Sequence, residues 1–203
     1  MIINLPKVLK DVQGYVEALY NKLQSAELLY HNLEHTQKVV MQCNQISAAY
    51  VVDETDGFII TVAAWFHDTG HLFGVPLNHE ERSVEIMKDY LEKKVEDTKI
   101  IDAIAGCIMA TKVPHRPTTL AEKIICDADT FNLGTKDFTD TDSRLKKELQ
   151  LRVNIPPDDW DSDTLNMLIK HKYFTSYCRK LLNRGKQENI AIVIERIQGN
   201  LLR

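Results

Sequence analysis

The sequence predicts an all-α fold, and three observations lead there. Apolar residues recur at helical spacing in stretch after stretch of the chain. Glycine (8) and proline (6) are scarce among the 203 residues, and a turn-rich β protein needs both. Two of the periodic stretches also open on an Asn or Thr with a Glu three residues later, which is helix-start chemistry.

Composition bounds the rest. With 44% hydrophobic residues the chain can bury one sizeable core, and we expect a single domain over residues 1–203. A net charge of −4 implies no general affinity for nucleic acid. A small polyanionic substrate would then need a local positive site, which a bound metal could supply. No apolar run is long enough to span a membrane, and Met1-Ile2-Ile3-Asn4 has no signal-peptide layout. Cys43, Cys107, Cys126 and Cys178 are widely spaced and read as buried free thiols in a reducing compartment. The expectation is a cytoplasmic protein.

The elements follow in order. Residues 5–24 read as a helix, with Pro6 in the first turn and a stripe of Val8, Val12, Tyr15, Val16 and Leu19. Residues 28–35 lead into a second helix reaching about Tyr50. His31 and His35 lie four apart there, and His35 shares a face with Val39, Cys43 and Ile46. Taken alone, the pair reads as two half-buried histidines satisfied by hydrogen bonds. After a polar break from Val51 to Gly57, residues 58–69 form a helix that ends in His67-Asp68-Thr69-Gly70-His71.

His67 continues the stripe of Ile60, Ala63 and Ala64. An ionisable pair closing a buried stripe is costly unless something compensates it. Imidazole plus carboxylate is a common ligand set for divalent metals. The competing explanation is a helix C-terminus, with His67 at the dipole and Gly70 as the stop.

A loop over 70–77 precedes a helix capped by Asn78, with Glu81 at the capping-box position and an end near Lys94. His79 reads either as a solvent residue or as a second metal ligand. A helix over 97–111 ends in a loop where Lys112, His115 and Arg116 form a candidate phosphate-binding rim; a solvated turn is the alternative. Thr119 and Glu122 start the next helix, whose inward stripe of Ile124, Asp127, Ala128 and Phe131 contains a carboxylate. Buried there, Asp127 needs a cation or several donors, or it caps a neighbouring helix. From residue 137 onward the chain reads as further amphipathic helices: Arg144–Arg152, Trp160–His171 after Pro156-Pro157, Tyr173–Leu182 and Gln187–Leu202.

The order His35, His67-Asp68, Asp127 within a helical chain resembles the HD-domain superfamily of metal-dependent phosphohydrolases, over about residues 28–134. Tyr30-His31-Asn32-x-x-His35 and His67-Asp68-x-x-His71 resemble motifs of the cyclic-nucleotide phosphodiesterases, which share that core. Asp127-Ala128-Asp129-x-x-x-Leu133-Gly134, the C-terminal His171-Lys172-Tyr173-Phe174-Thr175 and the chain length are more similar to uncharacterised bacterial HD phosphohydrolases.

The resemblance implies an HD-domain helical bundle with additional C-terminal helices over about 137–203. It implies one divalent metal, held by His35, His67, Asp68 and Asp127. The expected reaction is hydrolysis of a phosphomonoester or phosphodiester, of a nucleotide or related small molecule, by a metal-activated water. His31 would be the general acid, and His71 would orient the water beside Asp68. Asp129 would orient a ligand or face solvent.

Mixed N/O ligands suit Mn, Mg, Fe, Co, Ni or Zn. A second metal would use His79 and His115. That six-ligand version belongs to HD-type di-iron oxygenases, which are one competing function; a non-catalytic nucleotide-sensing module is another. The long C-terminal helices offer a surface for a homodimer.

Overall fold

The most apolar stretch of the chain becomes its central helix. The computed structural model describes residues 4–153 and 160–201, and the Pro156-Pro157 break lies outside them. Among the described residues there are nine α-helices, two 3-10 turns and no strand: α1 Leu5–Leu23, α2 Leu33–Ser47, α3 Glu54–Phe66, α4 His79–Leu91, α5 Thr98–Ala110, α6 Leu120–Asp129, α7 Phe138–Val153, α8 Trp160–Lys170 and α9 Ser176–Leu201. The 3-10 turns are Thr69–Phe73 and Phe131–Gly134. The all-α expectation is met.

Every residue of α3 from Phe58 to Phe66 is buried. A helix apolar all round needs neighbours on every side, and α1, α2, α4, α5 and α6 supply them. It starts four residues earlier than the polar break suggests, because the Asp53 side chain accepts from the Asp56 amide and caps it. Its last turn delivers His67 and Asp68 to the interior.

Two further features differ from expectation for physical reasons. Asn78 caps nothing with its side chain; it sits in the left-handed region at φ 60, and Glu81 turns to an ion pair with Lys112. The Thr119–Glu122 capping box, in contrast, forms in both directions. The two last expected helices are one continuous α9. Gly185 does not break it: a Cβ there would fall 2.1 Å from the Gly134 carbonyl oxygen, so the glycine permits close approach of α9 to the turn after α6.

The main core is built by α1–α6, joined by Tyr173, Cys178 and Leu182 from the C-terminal part. A smaller apolar cluster of Leu133, Phe138, Leu168 and Val193 lies under α7, α8 and α9. The C-terminal helices therefore cover the turn that follows α6. All four cysteines are buried and free. No helix among the described residues is long and apolar enough to cross a membrane.

Candidate metal centre and its cleft

Four side chains from three places in the sequence converge beside the ends of α3 and α6. Asn32 caps α2 by accepting from the His35 amide, which fixes His35 in the first turn. His67 and Asp68 follow the last residue of α3, and Asp129 is the last residue of α6. His35 Nε2 lies 3.1 Å from Asp129 Oδ1 and 3.3 Å from Asp68 Oδ2. His67 Nε2 lies 3.2 Å from Asp68 Oδ2 and 3.6 Å from Asp129 Oδ1. One ligand atom from each of the four lies within 4.8 Å of the others.

The donor set fits a divalent cation. His67 Nδ1 is 2.8 Å from the Ala64 carbonyl oxygen, which can only accept, so Nδ1 carries the proton and the Nε2 lone pair faces the cluster. Asp68 Oδ2 is buried without a hydrogen-bond partner among the described residues. Burial works against protonated His35 and His67, yet Asp68 and Asp129 outweigh it and push both imidazoles above their ordinary pKa. Burial likewise raises the carboxylates, but the two histidines outweigh it and hold Asp68 and Asp129 well below the usual range. Two ionised carboxylates facing two imidazole nitrogens can be held together by protons or by a metal.

The fourth member is a correction. The sequence pointed to Asp127, but Asp127 is turned away from the cluster. Its Oδ1 accepts from the Phe174 amide at 2.7 Å, and its Oδ2 from the Thr175 amide at 2.8 Å and the Thr175 hydroxyl at 2.6 Å. Burial raises its pKa against those donors. Asp127 thus anchors the start of α9, through Phe174 and Thr175 at the end of the stretch His171–Thr175. Residues two apart on a helix point to nearly opposite sides. Ile124, Ile125, Cys126, Asp127 and Ala128 are all buried, so the apolar stripe could not say which side holds the cluster.

Beside the cluster stands a stack of three imidazoles. The His71 ring lies 4.0 Å from that of His31 and 3.9 Å from that of His79, centroid to centroid. Two residues of α7 that the sequence reading missed hold this stack. Glu148 accepts from the Tyr30 and His31 amides at 2.7 and 3.0 Å and from His31 Nδ1 at 2.6 Å. Burial opposes its charge, but His31 and these amides outweigh burial and bring Glu148 down to about 2. Arg152 donates to Glu148 at 3.1 Å, to His71 Nδ1 at 2.8 Å and to the His71 carbonyl at 3.0 Å.

These contacts set tautomers. Arginine has no lone pair to offer, so His71 Nδ1 must accept and the ring carries its proton on Nε2. That Nε2 is buried, has no hydrogen-bond partner among the described residues, and lies 4.0 Å from Asp68 Oδ1. Burial, followed by the His31 charge, pushes the His71 pKa far below the ordinary imidazole range. His71 is therefore a neutral donor aimed beside Asp68, not a base. His79 is the reverse: Nδ1 bonds the Pro76 carbonyl at 2.9 Å, leaving Nε2 bare 3.5 Å from Asp68 Oδ1.

The remaining expected residues stay apart. His115 packs edge-on to Phe174, with ring centroids 6.3 Å apart, and joins none of the ligand clusters. It therefore does not complete a second metal site with His79. Lys112 is paired with Glu81, and with Arg116 it lines a neighbouring groove rather than the cleft above the cluster. The two hollows meet at Val113. No sequence pattern marks Glu148 or Arg152, because an i, i+4 Glu–Arg pair on a helix is ordinarily a surface pair.

Comparison with known proteins bears on the family and the fold. The HD domain family model matches residues 32–133. The chain belongs to the HD domain family. No curated protein matches it. Among solved structures it is similar to a predicted HD superfamily hydrolase from an uncultured Thermotogales bacterium, with a TM-score of 0.60, 19% identity and 98% of each chain covered. At that identity the likeness speaks for the fold.

Proposed function

We propose that the protein is a metal-dependent phosphohydrolase acting on a phosphate ester of a small molecule such as a nucleotide. One observation supports this most: four ligand atoms converge, with an orphaned Asp68 oxygen among them, and Asp68 and Asp129 of that cluster line a cleft that His31 also lines. His35, His67, Asp68 and Asp129 would hold the cation. A divalent ion there lowers the pKa of a water and polarises a phosphoryl oxygen.

The chain's own groups do the rest. Glu148 fixes His31 through Nδ1, so Nε2 is the atom left to donate a proton to the leaving oxygen. His71 Nε2–H supplies a neutral hydrogen bond to the attacking water or a phosphoryl oxygen, while Arg152 keeps its ring from turning. A six-ligand di-iron site would need both His79 and His115, and His115 lies against Phe174 instead.

The test is phosphate or alcohol release from a panel of phosphomonoesters and phosphodiesters with Mn, Mg, Co, Ni, Zn and Fe in turn. Turnover by the wild type that vanishes in Asp68→Ala supports the reading. A protein that binds metal yet turns over no ester with any of these ions overturns it.

A further inference from the structure

We infer that the substrate carries a single phosphoryl group, esterified to a small, uncharged and largely apolar alcohol. This rests on the phosphohydrolase reading. The half-open cleft above the metal cluster has a volume of about 200 Å³. That lies below the ~300 Å³ at which sites for drug-sized ligands begin, so room exists for about one ring beyond the phosphate.

The charge of the walls decides what the phosphate can be attached to. Four carboxylates line the cleft: Asp68, Glu80, Asp129 and Asp142. A divalent cation would balance Asp68 and Asp129, and Arg196 balances Asp142 at 2.7 Å. Glu80, itself buried, lies 3.5 Å from His79 Nδ1 and has no lysine or arginine paired with it. No lysine or arginine is among the described residues that line the cleft.

The nearby cations are turned elsewhere: Arg152 to Glu148 and backbone carbonyls, Lys112 to Glu81. A second or third phosphate would add negative charge beside Glu80 with no lysine or arginine in the described wall to meet it. The cleft is also lined by the apolar side chains of Val113, Leu133, Phe138, Leu145 and Met167. Burying an apolar group there is favourable; burying an unpaired phosphate is not.

The experiment compares the 5′-mono-, di- and triphosphate of one nucleoside, together with phenyl phosphate, on the metal-loaded enzyme. We expect kcat/KM for the monophosphate to exceed that for the triphosphate by at least about tenfold. Phenyl phosphate, whose alcohol is one apolar ring, should be turned over at least as well as the nucleoside monophosphate. A nucleoside monophosphate preferred over phenyl phosphate by more than about tenfold overturns the apolar assignment. Met167, on α8, lines the cleft and is half-exposed, so Met167→Lys adds a cation without disturbing the core. That variant should narrow the gap between mono- and triphosphate.

A triphosphate turned over as well as the monophosphate, or a gap that Met167→Lys leaves unchanged, overturns the inference. A triphosphate preference that Arg116→Ala removes would place the extra phosphates in the neighbouring groove and overturn it as well. If no ester is hydrolysed at all, the phosphohydrolase reading fails. The charge inference is then read by calorimetry with saturating magnesium: adenosine monophosphate should bind more tightly than adenosine triphosphate, and the reverse order refutes it.

Discussion

Asp127 and Asp129 stand two residues apart at the end of α6 and meet opposite surroundings. Asp127 is fully satisfied by three protein donors from the start of α9 and is closed to solvent. Asp129 faces two imidazoles, and its side chain keeps 21% exposure to the cleft. The first is a joint between two parts of the fold. The second belongs to a site that is left for a ligand to complete. The difference teaches that burial of a carboxylate does not announce a metal; what matters is whether the protein supplies its own donors.

The largest expected effect separates the two directly. Asp129→Ala should remove bound metal and bring ester hydrolysis to background, with helicity by circular dichroism unchanged. Metal retained at one equivalent, measured by plasma emission spectrometry, would put Asp129 outside the ligand set.

Asp127→Ala should do the opposite. It strands two backbone amides and a hydroxyl in the interior, at a cost of about 3 kcal/mol in urea unfolding. The folded fraction should still bind metal. Loss of metal from well-folded protein would return Asp127 to the cluster.

Arg152→Met tests the support behind the site. Freed from Arg152, the His71 ring can turn or change tautomer. Outer partners of this kind commonly contribute about 10–100-fold, so kcat should fall by that order with metal stoichiometry kept. An unchanged kcat would strip His71 of its role as an oriented donor.

The smallest effect is one of pH. His171 bonds the Thr130 hydroxyl at 3.1 Å, next to Asp129, and burial, then the Lys186 and His115 charges, bring its pKa down to about 3. As pH falls below about 6.5, the unfolded chain takes up a proton there that the folded chain refuses. Stability contributed by neutral His171 is therefore lost between about 6.5 and about 3. His171→Gln should flatten the urea midpoint across that window. A midpoint with unchanged pH dependence would show that another group sets the slope.

Most of the architecture and three of the four cluster residues were legible in the sequence. Helical period located α1, α3, α5 and α6, and the His67-Asp68 pair at the end of an apolar run marked the site, because ionisable groups there need compensation. Fold membership followed from the same residues. What the sequence could not decide was direction. A helix buried on both sides, as α6 is, gives no stripe to choose between Asp127 and Asp129. Glu148 and Arg152 reach His31 and His71 across more than eighty residues, with the periodicity of a surface pair and no local sign of their task. The rim of Lys112, His115 and Arg116 looked like one site because its members are neighbours in sequence, yet the ends of α5 and α6 turn Lys112 toward Glu81 and His115 toward Phe174. Local spacing fixes which residues share a helix face; only packing decides which face meets the cleft and which charges find partners before a ligand can.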